Sequence, residues 1–254
     1  MIKIENVVLA SPEQMEFIIQ GMRNPMNSWE KSDSSCGKAT RPTNVQWSDD
    51  YFIGTNDANL MQRLSNAGTE HRKYMRMMPV YARITAPLYW WKEFDTYKVG
   101  TVANSCSTMH KIAVKEFDRG DFSTEHLVSG WMDKDKNGTD IFIPGPLEKL
   151  DSTIELLNNI REKYLDALKN NQETFTLGYV QYLGAKDIWW QMIQLLPSSY
   201  NQTRNVMLNY EVLANIYRQR KGHKLNEWIT FCKWIDSLPY SELITGKEKK
   251  DECY

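Results

Sequence analysis

The stretch EHRKYMRMMPVYARITAPLYWWKEFDTYKVGTVANSCSTMHK, residues 70–111, decides the fold, because it holds the densest run of aromatic, basic and small polar residues in the chain. Its middle predicts a helix. Thr85 can serve as the N-cap, and Pro87 suits a first turn, whose backbone amides lack intrahelical partners in any case. Leu88 and Trp91 follow at helical spacing. We therefore expect a buried aromatic helix in the middle of the stretch.

Short polar side chains follow this helix. Gly100 ends the helical pattern, and the segment from Thr101 to Thr108 then carries mostly hydrogen-bonding residues, with Lys98 before it and His110 after it. Such side chains can surround a polar ligand, and they are equally typical of a solvated loop. The residues alone leave both interpretations open. In either case they predict a loop, and Ile112 to Phe117 is predicted to continue helically beyond it.

This stretch resembles the signature region of the flavin-dependent thymidylate synthases. In that family a helix of the type A-P-x-F-x-x-R-Q-x-x-R-H-R leads into a loop S-x-N-E-x-S-x-R-Y, where flavin and deoxyuridylate bind. The similar segments here are Ala86 to Glu93, continuing to Thr96-Tyr97-Lys98, and the loop from Asn104 to His110. Neutral Ser105 and Met109 stand where the family carries Glu and Arg.

A second set of similar residues lies nearer the C-terminus. After a Leu-Pro pair the family carries two Asn residues six apart and an Arg five residues later. In this chain Leu196-Pro197 is followed, at the same spacing, by Asn209, Asn215 and Arg220. Several residues that agree in order and distance are harder to obtain by chance than one short motif. The resemblance therefore extends from about Glu70 to Trp228.

The resemblance implies an α/β (α+β) fold, with a small, partly antiparallel sheet and several long helices. It also implies an enzyme that uses FAD, NADPH and methylene-tetrahydrofolate to transfer a one-carbon unit to C5 of a uracil nucleotide. In such an enzyme the flavin supplies the difficult chemistry, and the protein positions the pyrimidine. The family forms homotetramers with active sites between subunits, so a homo-oligomer is expected here.

Site residues follow from the resemblance position by position, and no catalytic residue is assigned. The implied cofactor-binding residues are His71, Tyr97, Lys98, Asn209 and Asn215. The implied substrate-binding residues are Glu93, Asn104, Ser105, Ser107, His110 and Arg220. Asn side chains on a helix can donate and accept along the edge of a flavin, and Arg can hold a phosphate by a bidentate fork. Without the shared spacing, the same residues would be interpreted as a solvated helix surface and a basic helix end.

A second functional hypothesis comes from the charges that this chain lacks. Thr96, Ser105, Met109 and Ile193 are neutral where the family carries charged residues. Each lost charged hydrogen bond weakens binding by about 1.5 to 3 kcal/mol. The alternative to an enzyme is therefore a protein of the same fold that binds a nucleotide, to sequester or sense it, without turnover.

Composition excludes some classes of partner. The 254 residues contain 31 Lys and Arg against 32 Asp and Glu, a net charge of −1, whereas proteins that coat nucleic acid or an anionic membrane need a strong basic field. No apolar stretch approaches the roughly 18 residues of a membrane span, and the N-terminus has no signal-peptide pattern. We expect a cytoplasmic protein that binds a small-molecule nucleotide, and neither nucleic acid nor a membrane.

Cysteine spacing predicts neither a disulfide framework nor a metal site. Cys36, Cys106, Cys232 and Cys253 are widely separated, with no C-x-x-C motif and no paired His. Four free thiols are expected. Cys106 alone lies in the polar loop, where it is either a nucleophile or a small side chain without chemical function.

The rest of the chain predicts a single domain, residues 1–245, with an insertion at about 118–146 and a charged tail at 246–254. Residues 3–9 predict a strand at a sheet edge, and Ser11 predicts a helix N-cap. Residues 147–170 form the clearest predicted helix, with a core-facing stripe of Leu150, Ile154, Leu157, Ile160, Tyr164, Leu165 and Leu168.

Two shorter segments have less certain patterns. The insertion contains Asp133, Asp135 and Asn137, which resemble the start of a calcium loop, but the Glu that closes such a loop is missing. We therefore predict an ordinary Asp-Asn-Gly turn there. Residues 172–184 combine β-branched and aromatic residues with helical spacing, so either a strand or a helix is possible.

Overall fold

The computed structural model of the protein describes residues 2–36 and 51–246. The strands in these ranges are β1 Lys3–Leu9, β2 Ser35–Cys36, β3 Tyr51–Phe52, β4 Pro79–Pro87, β5 Val102–Ser105, β6 Gly130–Lys134, β7 Asp140–Pro144, β8 Phe175–Leu177, β9 Val180–Tyr182 and β10 Asn201–Asn209. The α-helices are α1 Pro12–Arg23, α2 Thr55–Asn66, α3 Leu88–Phe94, α4 Thr108–Lys111, α5 Pro146–Lys169, α6 Ala185–Leu195, α7 Tyr210–Arg220, α8 Asn226–Asp236 and α9 Glu242–Thr245. The predicted tail lies outside the described residues, apart from Gly246.

The chain divides into two compact units. The first comprises Ala86–Lys92 and Ser105–Thr203, and the second comprises Ile2–Thr85, Glu93–Asn104 and the chain from Arg204 onward. A four-stranded sheet has the order β1-β4-β10-β5, and β1 lies at its edge, antiparallel to β4. The edge strand predicted for residues 3–9 is confirmed. The expected α/β (α+β) fold, with a small, partly antiparallel sheet and several long helices, is confirmed as well.

The second unit contains most of strand β4 and the whole of helix α1. Alternate residues of β4, Val80, Ala82 and Ile84, are buried, as the two-residue period of a strand requires. Helix α1 begins with a capping box: the Ser11 hydroxyl accepts from the backbone N–H of Gln14, and the Gln14 side chain accepts from the backbone N–H of Ser11. The predicted N-cap is therefore confirmed.

A buried carboxylate joins the first turn of α2 to the end of α1. Asp57 is 0% exposed, and its Oδ1 accepts from Nε of Arg23 at 2.6 Å. Its Oδ2 accepts from the backbone N–H groups of Asp33 and Ser34, both at 3.1 Å, and from the hydroxyls of Ser32 and Ser34. Burial by itself raises the pKa of Asp57, but the hydrogen bonds from Ser34, Ser32 and Arg23 outweigh this, so the pKa lies below its usual value.

The first unit is built around the long helix α5, which packs against α6. Leu150, Ile154 and Leu157 of α5 are buried in a hydrophobic core that includes Phe117 and Met192. The predicted helix is confirmed, and so is the inward direction of most of its apolar stripe. The prediction is wrong at the last two positions of the stripe, Leu165 and Leu168, which are 40% and 48% exposed, because in the last turns of the helix Ala167 faces inward instead and is 1% exposed.

Three predictions for the segment around α3 are wrong. Thr85 does not cap a helix: it pairs with Lys3 across the sheet, and α3 begins at Leu88. Val102–Ser105 is a strand and not a loop. All four of its residues are exposed, so no alternation of apolar side chains marks it in the sequence.

The third wrong prediction concerns the segment after the polar loop. The helix there, α4, ends at Lys111, and Ile112 to Phe117 are not helical. The Asn158 side chain accepts from the backbone N–H of Phe117 at 2.8 Å and donates to its carbonyl oxygen at 3.0 Å. A side chain of α5 thus satisfies backbone groups that a helix would otherwise pair.

Two hairpins lie in the segments with less certain patterns. Within residues 118–146, β6 pairs with β7, and the turn between them runs from Asp135 to Gly138, which has a φ of +83°. Oδ1 of Asp135 accepts from the backbone N–H groups of Asn137 and Thr139, both at 2.8 Å, so the predicted Asp-Asn-Gly turn is confirmed. Residues 172–184 contain the hairpin β8-β9.

The described residues contain no helix long and apolar enough to cross a membrane. Cys36, Cys106 and Cys232 form no disulfide within the described residues, and Cys106 is exposed. Cys253 lies outside the described residues.

Asp57→Asn tests the buried ion pair. The amide keeps the size of the side chain but leaves the Arg23 charge without a counterion, and a charge stranded in this way costs about 3 to 5 kcal/mol. We expect urea denaturation at pH 7 to show a loss of that order in the free energy of unfolding. Asp166→Asn, on the exposed face of α5, is the matched control.

Acid titration adds a second measurement to this prediction. The pKa of Asp57 is lower in the folded protein than in the unfolded chain. Its contribution to the free energy of unfolding is therefore complete above the unfolded pKa, about 3.9, and is lost as the pH falls through the folded pKa. The difference between wild type and Asp57→Asn should therefore shrink below about pH 4. A loss at pH 7 no larger than that of the control would contradict the stabilising role of the pair.

Candidate functional site

A group of hydrogen-bonded side chains lies where α3 and α7 end, within the second unit. Arg220 is the last residue of α7. Its Nε donates to the hydroxyl oxygen of Tyr97 at 2.9 Å, and its Nη1 donates to Oε2 of Glu93 at 2.8 Å. The Tyr97 hydroxyl in turn donates to Oε1 of Gln219 at 2.9 Å. Three of the candidate residues from the sequence are therefore in direct contact.

Two further residues complete this group, which we call the Arg220 cluster: Glu93, Tyr97, Arg220, His223 and Trp228. The indole N–H of Trp228 donates to Oε2 of Glu93 at 2.9 Å, and the Trp228 ring lies 4.8 Å from the guanidinium carbon of Arg220. Nε2 of His223 lies 2.9 Å from Nη1 of Arg220. A cation over an indole face is favourable, so Trp228 both holds Glu93 and supports Arg220.

The contacts of Arg220 leave one nitrogen uncommitted. Nε and Nη1 are occupied by Tyr97, Glu93 and His223, while Nη2 has no hydrogen-bond partner among the described residues. The bidentate phosphate fork considered from the sequence is therefore not available in this arrangement. What remains is one N–H₂ group, Nη2, of a side chain that is only 19% exposed and whose charge is balanced by Glu93.

Sequence reasoning missed His223 and Trp228 as members of the site. From the sequence, His223 belongs to a solvated basic helix end, and Trp228 belongs to the core-facing stripe of the last long helix. The signal that could have found them is the order of Arg220, His223 and Trp228, in which an aromatic ring and an imidazole closely follow a candidate Arg. That order brings all three together only because the chain turns between α7 and α8.

The two candidate Asn residues have different local roles. Asn209 ends β10 and caps α7, where its Oδ1 accepts from the backbone N–H of Val212 at 3.0 Å. The prediction that Asn209 and Asn215 share a helix is therefore wrong, because only Asn215 lies within α7. Oδ1 of Asn215 accepts from Nη2 of Arg218 at 2.9 Å. Both amide oxygens are occupied, and both amide N–H₂ groups lack a partner within the described ranges.

Gly100 lies against the Asn209 cap. It has a φ of +80°, and a Cβ atom at this position would lie 2.9 Å from Cγ2 of Val212 and 3.1 Å from Nδ2 of Asn209. The pattern break that the sequence placed at this glycine is thus also a close approach between the segment after α3 and the start of α7.

The remaining candidates of the second unit are not part of the Arg220 cluster. His71, Lys98 and Asn104 are exposed, and none of them has a hydrogen bond to the cluster in the described part of the chain. Nε2 of His71 lies 3.9 Å from Oε1 of Glu70. These three residues remain predictions.

The other candidates belong to the first unit, in the loop from Ser105 to Lys111. The hydroxyl oxygen of Ser107 accepts from the backbone N–H of His110 at 3.2 Å. Ser107 also lines a cleft of about 460 Å³, which we call the Ser107 cleft, whereas Ser105 and His110 are exposed and do not line it. The polar lining of this cleft comes from Cys106, Ser107, Thr108, Lys111, Lys115, Asp121 and Tyr200.

Tyr200 provides a protonated hydroxyl in this cleft. Burial raises the pKa of the Tyr200 hydroxyl, and the negative charge of Asp121 raises it further. The group therefore stays protonated around neutral pH and can donate a hydrogen bond.

Comparisons with known proteins identify the fold. No protein-family model matches the chain, and no curated protein matches it. A flavin-dependent thymidylate synthase from Helicobacter pylori, solved with FAD and dUMP, has 16% sequence identity and a TM-score of 0.56 over 96% of this chain and 98% of that chain. The chain has the fold of that protein. A UMP/dUMP methylase from Streptomyces cacaoi, bound with 5-Br dUMP, has 12% identity and a TM-score of 0.54 over 97% and 95% of the two chains.

Gly100→Ala tests the close approach at the Asn209 cap. Its matched control is Gly138→Ala, because Gly138 also has a positive φ, +83°, but no atom lies within 4 Å of the place that its Cβ would take. Both changes force an L-residue into the left-handed region, which costs about 1 to 2 kcal/mol. We expect Gly100→Ala to cost a further ~1 to 3 kcal/mol from overpacking against Val212 and Asn209.

The measurement is the free energy of unfolding of both variants in urea. Equal losses at the two glycines would show that the contact with the cap contributes nothing to stability.

Proposed function

We propose that the protein binds a uracil nucleotide and, with FAD, transfers a one-carbon unit to C5 of the uracil ring. The observation that carries this proposal is the Arg220 cluster, because it holds a guanidinium in a fixed position with one N–H₂ group free to contact a ligand. The shared fold supports the choice of ligand, since the two structures compared above contain dUMP or its 5-bromo derivative.

In the proposed site, Arg220 contacts the nucleotide through Nη2. An N–H donated to a carbonyl oxygen of the uracil ring fixes the orientation of the ring. It also stabilises negative charge that develops on that oxygen when the ring reacts. Glu93, Tyr97 and Trp228 hold the guanidinium in advance, so little conformational entropy is lost when the ligand binds.

The chain also provides groups that fit a flavin. The N–H₂ groups of Asn209 and Asn215 are donors, and the ring edge of a flavin presents carbonyl oxygens and ring nitrogens that accept. We propose these two residues as cofactor-binding, together with Tyr97, Lys98 and His71. When bound, the flavin supplies the reducing equivalents.

The proposal extends to the remaining expectations from the resemblance. NADPH and methylene-tetrahydrofolate would serve as co-substrates. Glu93, Asn104, Ser105, Ser107 and His110 would contact the nucleotide with Arg220. A cytoplasmic homotetramer is the assembly that the resemblance implies.

A second candidate function is nucleotide binding without turnover. It is favoured by one specific observation: Oε2 of Glu93 lies 2.8 Å from Nη1 of Arg220, so the guanidinium charge is already balanced within the chain. Together with neutral Thr96, Ser105 and Met109, this leaves little positive charge to stabilise an anionic ring during reaction.

Analysis of the molecules released from freshly purified, denatured protein separates the two candidates. The enzyme requires FAD, which is visible by absorbance near ~450 nm and by mass, in near-stoichiometric amounts or after reconstitution. A uracil nucleotide released without flavin, and no flavin binding on addition, would support the second candidate. Neither ligand in the released fraction, with no binding of either on addition, would contradict both.

Arg220→Ala tests the nucleotide contact itself. Loss of a hydrogen bond from a charged donor costs about 1.5 to 3 kcal/mol, so we expect the Kd for dUMP, measured by calorimetry, to rise at least tenfold. The matched control is Arg83→Ala, because Arg83 is exposed on β4 and bonds only to Asn205 among the described residues. Unchanged dUMP affinity in a folded Arg220→Ala protein would remove Arg220 from the site.

A further inference from the structure

The two ring nitrogens of His223 both face hydrogen-bond donors. The backbone N–H of Leu225 donates to Nδ1 at 3.2 Å, and Nε2 lies 2.9 Å from Nη1 of Arg220. A neutral imidazole has one nitrogen that can accept and an imidazolium has none, whereas a guanidinium can only donate. The neutral ring can therefore accept one of the two N–H groups at a time, and the protonated ring can accept neither.

The charges near the ring also fit a neutral His223. Nε2 lies 2.9 Å from Nη1 of Arg220 but 3.6 Å from Oε2 of Glu93, so a proton here would put a second positive charge closer to a cation than to a carboxylate. From α8 the ring meets the uncharged indole of Trp228, with the ring centroids 6.3 Å apart. The charged or ionisable groups on the elements next to the ring include Arg220 on α7, Glu93 on α3, Tyr97 after α3, Lys221 and Lys224 in the connection from α7 to α8, and Glu227 in the first turn of α8.

Protonation of His223 therefore displaces its ring from Arg220. The His223 side chain is 26% exposed, so the ring can turn toward water. Nη1 of Arg220 keeps its bond to Glu93, and Nε keeps its bond to Tyr97, so the guanidinium stays in place. The N–H of Nη1 that faced the imidazole is then free beside the N–H₂ group of Nη2. Together these N–H groups form the two-pronged donor that the neutral ring obstructs.

We propose that nucleotide binding at Arg220 is coupled to protonation of His223, which is a positioning residue for the guanidinium. This inference rests on the proposed function, because it takes a uracil nucleotide as the ligand of Arg220. The neutral ring covers one N–H of Nη1, whereas the protonated ring leaves that N–H to the ligand. The proton also adds a positive charge to Arg220 and Glu93, which balance each other. An anionic nucleotide is therefore bound more tightly when His223 is protonated.

The coupling fixes the sign of the pH dependence. Because the coupling is reciprocal, a nucleotide that binds to the protein with a neutral His223 takes up a proton from solution. An imidazole ordinarily changes its charge between about pH 5 and 8. The Kd for the nucleotide should therefore fall as the pH is lowered through this range, and it should become constant above it.

Calorimetric titration of wild type and His223→Gln with dUMP tests the coupling. The ratio of the Kd at about pH 8 to the Kd at about pH 5.5 should be at least about fivefold larger in wild type, because the amide cannot take up a proton. The phosphate of dUMP also titrates, near pH 6, but it does so equally with both proteins. His126→Gln, which removes an exposed imidazole from the first unit, is the matched control and should keep the wild-type ratio.

Two further measurements separate a proton-linked role from a merely structural one. Titration at pH 7 in two buffers with different enthalpies of ionisation gives the number of protons taken up on binding, and we expect more in wild type than in His223→Gln. An NMR titration of the ring nitrogens of His223 in wild type needs no variant. We expect the protonated fraction of the ring at a given pH to rise when dUMP is added.

The outcomes distinguish this inference from the proposed function. If dUMP binds but the ratio of Kd values is the same in wild type and His223→Gln, or if dUMP leaves the protonated fraction of His223 unchanged, the coupling is overturned and the proposed function stands. If dUMP does not bind but inorganic phosphate binds more tightly in acid to wild type than to His223→Gln, the coupling is supported and the proposed function is overturned. If neither probe binds to wild type, both are overturned.

Discussion

One oxygen atom, Oε2 of Glu93, organises the ligand-binding face proposed for the second unit. It accepts from Arg220 and from the indole of Trp228, and so joins the end of α3, the end of α7 and the start of α8. Tyr97, which follows α3, supports the same guanidinium from its Nε side. A half-buried Arg needs such a counterion, since a charge removed from water without a partner is strongly unfavourable. The groups that balance the charge of Arg220 and hold its side chain therefore also decide how it can contact a ligand. Only Nη2 is available for that contact, and the surroundings are nearly neutral.

The helices and strands with a strong period were the part of the structure that the sequence could predict. The capping box at Ser11 and the stripe of Leu150, Ile154 and Leu157 depend on neighbours only a few residues away, and short-range patterns record such neighbours well. The sequence did not predict strand β5, because all of its residues are exposed and its side chains therefore show no alternation of apolar and polar residues. The prediction for Thr85 was wrong because its capping ability is local, whereas its pairing with Lys3 joins positions distant in sequence.

The site was only partly predictable for the same reason. Glu93, Tyr97 and Arg220 were found because the family resemblance preserves their spacing, although Arg220 is more than a hundred residues from the other two. His223 and Trp228 were missed, since each joins the Arg220 cluster through a chain turn that no periodicity records. The local function of Asn209 as a cap was also hidden, because a cap is visible only when the helix start is known.

The contact between Gly100 and Asn209 has a consequence for sequence variation. A residue with a side chain at position 100 would be strained by the positive φ and would also crowd the amide of Asn209. Two separate effects therefore lower the stability of any such variant. We expect relatives that replace the glycine to carry a smaller residue at position 209 or 212 as well. Paired substitution at these positions is the evolutionary signature that this packing predicts.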